Sequence, residues 1–283
     1  MTEKTMSNAL WAGWALLAAW TLAATFYPGT MMEESLSAVP MLYIAFAFLH
    51  VWIGFGWKGA AALFAAGYAL GFAAECASIH TGFPFGFYEH TDVLGVKFAS
   101  VPLFIPFGFF AIGYLAWSIA RVIVEDGRAR SLIWTPIVTG LIATSFDVAT
   151  DAIGATVYGH WIYRHPTGIF GVPLTNYLGW ILTTWAIGLA FSLIAPRFER
   201  TPAMSERGFW AQPAVFWAIA ALQFPLSYYV FGFGADSTEV VTRGARSWMV
   251  ADIYEGSVIS ALTVMLPPAL IALARLWGKR VAG

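Results

Sequence analysis

The sequence predicts an all-α fold, a polytopic membrane helix bundle of about eight transmembrane helices, with signs of an internal helix–loop–helix repeat. Three observations lead there. Hydrophobic residues make up 59% of the 283 positions and charged residues 11%, with a mean hydropathy of +0.69, whereas soluble domains carry roughly 25% charged residues. Apolar stretches of the roughly 20 residues needed to cross a bilayer recur near 8–27, 37–56, 59–79, 100–124, 131–158, 176–196, 210–233 and 248–276. Finally, one phrase occurs twice: an acid late in an apolar helix, then an aromatic, glycine-rich loop that closes on Val-Pro-Leu.

The elements follow in order. Segment 8–27 is longer than the 7–15-residue apolar region of a signal peptide and lacks a small-x-small cleavage site, so it reads as a retained helix. Between 37–56 and 59–79 lies Gly54-Phe55-Gly56-Trp57-Lys58-Gly59. It fits GxGxxG literally, but a dinucleotide site needs a preceding strand and a following helix, so a tight turn is expected. Segment 59–79 carries Glu75 and opens the first phrase, from Thr81-Gly82-Phe83-Pro84-Phe85-Gly86-Phe87-Tyr88 to Val101-Pro102-Leu103. Segment 131–158 carries Asp147 and Asp151 and opens the second, through Trp161, Tyr163 and Thr167-Gly168-Ile169-Phe170-Gly171 to Val172-Pro173-Leu174. Glu75 to Pro102 spans 27 positions and Asp147 to Pro173 spans 26, which suggests two related units running the same way through the membrane; such repeats commonly place a site at their interface. The whole chain, 1–283, reads as one integral membrane domain.

Orientation follows from lysine and arginine counts, because positive residues stay preferentially in cytoplasmic loops. With the N-terminus inside, alternate loops divide the fifteen into Lys4, Lys58, Arg121, Arg128, Arg130, Arg197, Arg200, Arg207, Arg275, Lys279 and Arg280 against Lys97, Arg164, Arg243 and Arg246. Both termini are therefore expected in the cytoplasm of a protein of the cell (inner) membrane. On that topology Glu75, Asp147, Asp151, Asp252 and Glu255 all fall toward the non-cytoplasmic side, as do the loops 80–99 and 159–175, and a single outer-leaflet cavity is the economical reading. The lone Cys76 excludes an internal disulfide. A net charge of −1 without a basic run argues against nucleic acid as a partner.

A charge at a transmembrane helix centre costs about 2.5–3.5 kcal/mol on insertion scales, so such residues turn toward a partner or a cavity. Asp147 and Asp151 stand four apart, one helical turn, and share a face. Two carboxylates this close suit a division of labour in which one acts as acid and the other as base; the alternative is that they only hydrogen-bond a neighbouring helix. Around them the sequence offers Tyr88, His90, His160, Trp161, Tyr163, His165 and Asn176. Aromatic faces stabilise cations, and histidine, tyrosine and asparagine can hold a water, although single interfacial Trp and Tyr residues equally serve as membrane anchors. The five scattered histidines cannot supply the clusters of a di-iron hydroxylase, and no lysine lies inside a late helix to carry a retinal Schiff base. No metal site is expected.

Glu75, Thr81-Gly82-x-Pro84-Phe85-Gly86-x-Tyr88, Asp92-x-Leu94-Gly95, Val101-Pro102-Leu103, Asp147-x-x-x-Asp151, Trp161, Gly168 and Phe170-Gly171-Val172-Pro173-Leu174-x-Asn176-x-x-Gly179-Trp180 together resemble the membrane carotenoid-biosynthesis family. That family includes carotenoid 1,2-hydratases such as bisanhydrobacterioruberin hydratase. The likeness covers about 70–190. Two positions depart from it: Ala152 follows the second acid where proline is frequent, and His90 stands where a second aromatic is common.

The resemblance implies a cofactor-independent hydro-lyase that adds water across the terminal C1=C2 bond of an acyclic carotenoid end group. It implies Glu75, Asp147 and Asp151 as catalytic acids, and Tyr88, Trp161, Tyr163, Asn176, Pro84, Gly86 and Pro173 as substrate-binding residues. The implied partners are a lipophilic carotenoid, water, membrane lipids and other membrane enzymes of the carotenoid pathway. Three other functions stay open: a prenyltransferase holding Mg²⁺ and a prenyl diphosphate on Asp147 and Asp151, with Asp252, Glu255, Arg243 and Arg246 enlisted; a carotenoid end-group cyclase; and a non-enzymatic proton-coupled transporter or lipid-binding scaffold.

Overall fold

The computed structural model describes residues 28–124, 128–199, 204, 207–231 and 237–278. Its helices are α1 (Pro28–Thr81), α2 (Ile105–Val124), α3 (Arg128–Ala152), α4 (Leu174–Ile194), α5 (Arg207–Phe231), α6 (Val250–Ser260) and α7 (Leu266–Gly278). Six spans among the described residues are long and apolar enough to cross a membrane: Met41–Thr81, Ile105–Val124, Ser131–Val157, Leu174–Arg197, Arg207–Leu226 and Val250–Gly278. The expected count of eight is not confirmed. The first expected span, 8–27, lies outside the described residues, and 37–56 and 59–79 are the two limbs of α1.

Those limbs fold back on each other. Gly56 adopts φ 71° and ψ 174°, a conformation outside the helical region that glycine alone enters without a Cβ clash. Phe48 and Phe64, sixteen residues apart, then meet with ring centroids 4.9 Å from one another, whereas along one straight helix they would be separated by about 24 Å. The Gly54–Gly59 segment is thus the expected tight turn.

Close packing elsewhere depends on small residues, because lipid supplies no hydrophobic drive between helices and association rests on backbone approach and van der Waals contact. A Cβ on Gly140 of α3 would stand 2.8 Å from the Ile181 carbonyl oxygen of α4, and one on Gly188 of α4 would stand 2.9 Å from the Thr139 Cβ of α3. On α2, Phe109 and Phe110 fill the space that Gly71 and Gly67 of α1 leave open. Both late distortions of the helical ladder are π-turns, Ile153–Val157 after α3 and Ala261–Met265 between α6 and α7. The second accommodates Pro267 and Pro268, which lack the amide hydrogen a regular turn needs. The first follows Asp151 directly, and π-turns gather at functional sites.

The connections on one side carry β1 (Tyr88–His90), β2 (Lys97–Phe98), β3 (Val101–Pro102), β4 (Trp161–Tyr163), β5 (Val240–Arg243) and β6 (Arg246–Met249). They form three two-stranded antiparallel ribbons, β1 with β4, β2 with β3 and β5 with β6, none of which the sequence reading anticipated. Because β1 pairs with β4, the loops after Glu75 and after Asp151 share one side of the bundle, as expected. The third loop joins them there through Arg243, whose guanidinium donates to the Ala155 and Val157 carbonyls at the end of the helix bearing the two aspartates. On the opposite side Arg121 pairs with Glu199 at 2.8 Å and lies over the rings of Trp117 and Trp210, and Arg275 donates to the Ile123 carbonyl.

Gly140→Leu is expected to lower unfolding stability in detergent by about 1–3 kcal/mol through overpacking against an immovable backbone oxygen. Gly108→Ala, with no atom within 4 Å of the added Cβ, is expected to leave it equal or higher. Thermal unfolding of the two variants checks the pair.

Candidate active site

Each acid sits where its own helix meets its own loop. Glu75, Asp147 and Asp151 are only 6%, 4% and 2% exposed. Glu75 lies two turns before the end of α1, and Ser78, one turn further on, anchors the loop. The Ser78 hydroxyl receives the Phe85 amide hydrogen at 2.9 Å and donates to the Gly86 carbonyl at 2.8 Å. Gly86 turns at φ 97°, where a side chain would also meet the Thr175 hydroxyl at 2.8 Å. This coil delivers β1 directly above Glu75.

In the β1–β4 ribbon Tyr88 stands opposite Tyr163, Glu89 opposite Ile162 and His90 opposite Trp161. Side chains alternate faces along a strand, and directly opposed residues share a face. Glu89 and Ile162 accordingly point outward and are exposed, while Tyr88, His90, Trp161 and Tyr163 form one inner face that meets the acids.

The inner face supplies hydrogen-bond donors. The Tyr88 hydroxyl donates to Glu75 Oε2 at 2.5 Å, and His90 Nε2 lies 2.8 Å from the same oxygen. Across the ribbon, Trp161 Nε1 donates to Asp151 Oδ1 at 2.7 Å and the Tyr163 hydroxyl donates to Oδ2 at 2.8 Å. Asn176, on the first turn of α4, uses both hydrogens of its amide nitrogen, one toward Asp147 Oδ2 at 2.7 Å and one toward Asp151 Oδ2 at 2.8 Å. Burial raises the Tyr88 phenol far above its ordinary range, reinforced by Glu75 and then by Asp151 and Asp147. Burial raises Tyr163 similarly, reinforced by Asp151 and Asp147. Both phenols remain protonated donors, and the Tyr88 hydroxyl feels all three carboxylates at once.

Two further details fix the geometry. Gly154, in the first π-turn, leaves the space that the Trp161 indole occupies; a Cβ there would lie 2.6 Å from its ring. Behind the ribbon a continuous set of rings runs from Tyr163 to Tyr88 (5.7 Å), Phe85 (6.5 Å), Phe109 (5.9 Å) and Trp180 (4.7 Å). This aromatic wall reaches from the acids to a partly exposed tryptophan on α4.

Of the residues singled out in the sequence, Glu75, Asp147, Asp151, Tyr88, Trp161, Tyr163 and Asn176 converge. Pro84, Gly86 and Pro173 shape the backbone around them: Pro84 and Phe85 pack on Gly179, and Pro173 opens α4. His80 and His165 are exposed, and half-buried His160 stacks on Tyr158 at 5.6 Å. Asp252 and Glu255 are exposed on α6, outside the cluster. Arg243 is engaged with the Ala155 and Val157 carbonyls. Three contributors escaped the sequence reading: His90 as the specific partner of Glu75, Gly154 as the seat of Trp161, and Tyr177, whose hydroxyl is buried without a hydrogen-bond partner among the described residues. The alternation in Tyr88-x-His90 and Trp161-x-Tyr163 is the signal that would have found the ribbon.

Comparison with known proteins adds the following. The family described as "Carotenoid biosynthesis protein" matches residues 35–238, well beyond the 70–190 likeness. Bisanhydrobacterioruberin hydratase of Haloarcula japonica is 31% identical over 110 residues, covering 38% of this chain and 36% of that protein. The chain therefore matches only about a third of that relative's length. No solved structure matches.

Asn176→Leu is expected to destabilise the fold by about 1–3 kcal/mol, since two buried carboxylates lose their shared donor. Adding Asp147→Asn, whose amide can donate to Asp151, is expected to recover part of that loss. A double-mutant cycle on denaturant unfolding measures the coupling.

Proposed function

The chain belongs to the carotenoid biosynthesis protein family, and on that premise we propose that it hydrates the terminal C1=C2 double bond of an acyclic carotenoid end group. The observation that carries the reading is a buried carboxylate trio under a ribbon of aromatic donors. The partial likeness to a bisanhydrobacterioruberin hydratase supports the same reaction class.

The chemistry follows from the donor count. Asp151 accepts three hydrogen bonds and is occupied as an acceptor; Asp147 accepts one and is the carboxyl left to carry a transferable proton. Asp147 protonates C2, the electron pair of the double bond forming the new C–H bond. Positive charge develops at the tertiary C1, where the faces of Tyr88, Trp161 and Tyr163 stabilise it. Water, held toward the Glu75 half of the site, then closes the C1–O bond and releases its extra proton to a base there, from which a proton returns to the Asp147 carboxylate. These steps need no redox cofactor. A cyclase shares the protonation but ends in proton loss, so product mass separates the two. With the lysine and arginine bias, the proposal places the site in the non-cytoplasmic half of the cell membrane and both termini in the cytoplasm.

Co-expression with pathways producing lycopene, γ-carotene or C50 carotenoids is the direct test. The wild type is expected to add one water per reacting end. Asp147→Asn and Asp151→Asn, expressed and folded, are expected to fall by about 100-fold or more and to accumulate the unhydrated pigment. Normal hydroxylated product from Asp147→Asn would refute its role, and loss of wild-type activity with EDTA would return the prenyl diphosphate alternative.

A further inference from the structure

We propose that His90 is the base that takes the proton from the attacking water, which makes the Glu75 half of the site its basic half; this rests on the hydratase reading above. The β1 register places His90 on the inner face with Tyr88 and across from Trp161. Its side chain is 3% exposed and its partner's, Glu75, 8%. Glu75 Oε2 takes the Tyr88 hydroxyl at 2.5 Å and His90 Nε2 at 2.8 Å. With Glu75 Oε2 as the acceptor of both contacts, Nε2 carries the hydrogen and Nδ1 is left with a lone pair.

That second nitrogen is buried and has no hydrogen-bond partner among the described residues. A buried acceptor left unpaired is costly, and here it belongs to the one ring on the inner face able to take up a proton. Trp161, at the opposed position, offers an indole that donates only and is spent on Asp151. The strand is held in place independently: Lys97 donates to the His90 carbonyl and to Asp92, each at 2.7 Å. A carboxylate that fixes the tautomer of a histidine, whose far nitrogen activates a hydroxyl group, is a recurrent catalytic arrangement.

The step balances as follows. A water lone pair forms the C1–O bond to the cation while one water proton passes to Nδ1. The resulting imidazolium is stabilised by Glu75, and its proton returns through the next water to the carboxylate of Asp147, which gave one to C2. No electron acceptor or donor is involved. Without the base, protonation at C2 still occurs, but the cation reverts by returning a proton to Asp147.

Deuterium reads this difference. In D₂O with purified protein and an acyclic carotenoid, His90→Phe and His90→Gln are expected to lose about 100-fold or more of hydration, while the recovered carotenoid keeps gaining deuterium at its end group. His90→Gln retains an amide that can donate to Glu75, which guards against a mere folding defect. Hydration and exchange falling in step in both variants would reduce His90 to a positioning role and overturn the proposal, as would undiminished hydration. A wild type that neither hydrates nor exchanges would overturn the hydratase reading itself.

Discussion

The structure turns on the need to satisfy three carboxylates in an apolar helix bundle. A helix cannot do this with its own backbone, whose amide hydrogens are already committed within the ladder. The donors must come from side chains brought in from elsewhere, and buried polar groups left without them are destabilising. Here the loops return to the bundle as short strands that carry Tyr88, His90, Trp161 and Tyr163 to the acids. Much of the surrounding sequence serves that delivery. Ser78 coils the first loop, Gly154 admits the indole, Asn176 ties the aspartates, and Arg243 closes the end of their helix.

The two helix–loop–helix units share a plan but not a set of contacts. Each runs from an acid-bearing helix through a strand to a Val-Pro-Leu entry into the next span, and pairing β1 with β4 brings the strands face to face. The Thr-Gly phrases, however, hold different places: Thr81 ends α1 ahead of β1, whereas Thr167 follows β4. The residues presented differ as well. The first unit offers an imidazole and a phenol to one glutamate; the second offers an indole and a phenol to an aspartate, with its neighbour one turn away. A reaction that needs a proton given on one side of an end group and taken up on the other has use for such an asymmetric pair.

Much of this was legible in the sequence, for physical reasons that vary by residue. The apolar helices followed from hydropathy, though not their count of eight, and the placing of Glu75, Asp147 and Asp151 toward one side of the bundle followed from their positions along successive spans. The Asp147–Asp151 face followed from helical periodicity, and the turn at Gly56 from glycine spacing between two apolar runs. The ribbon was not legible, because three-residue strands leave too short an alternation to stand out among so many aromatics. Pairing Glu75 with His90 depends on that ribbon's register, which is a tertiary property. Asp252 and Glu255 were grouped with the acids by sidedness alone, and α6 turns them outward. Pro84, Gly86 and Pro173 belong to the motif for their backbone geometry, and the resemblance that flagged them does not distinguish shaping a site from lining it.

The most direct test is an experimentally determined structure of the protein with an unhydrated acyclic carotenoid bound. The polyene end is expected beneath the ribbon, its terminal C2 within roughly 3.5 Å of an Asp147 carboxyl oxygen and C1 facing His90 across the inner face. A polyene end lodged on the outer face, beside Glu89 and Ile162, or reaching none of the three acids, would contradict it.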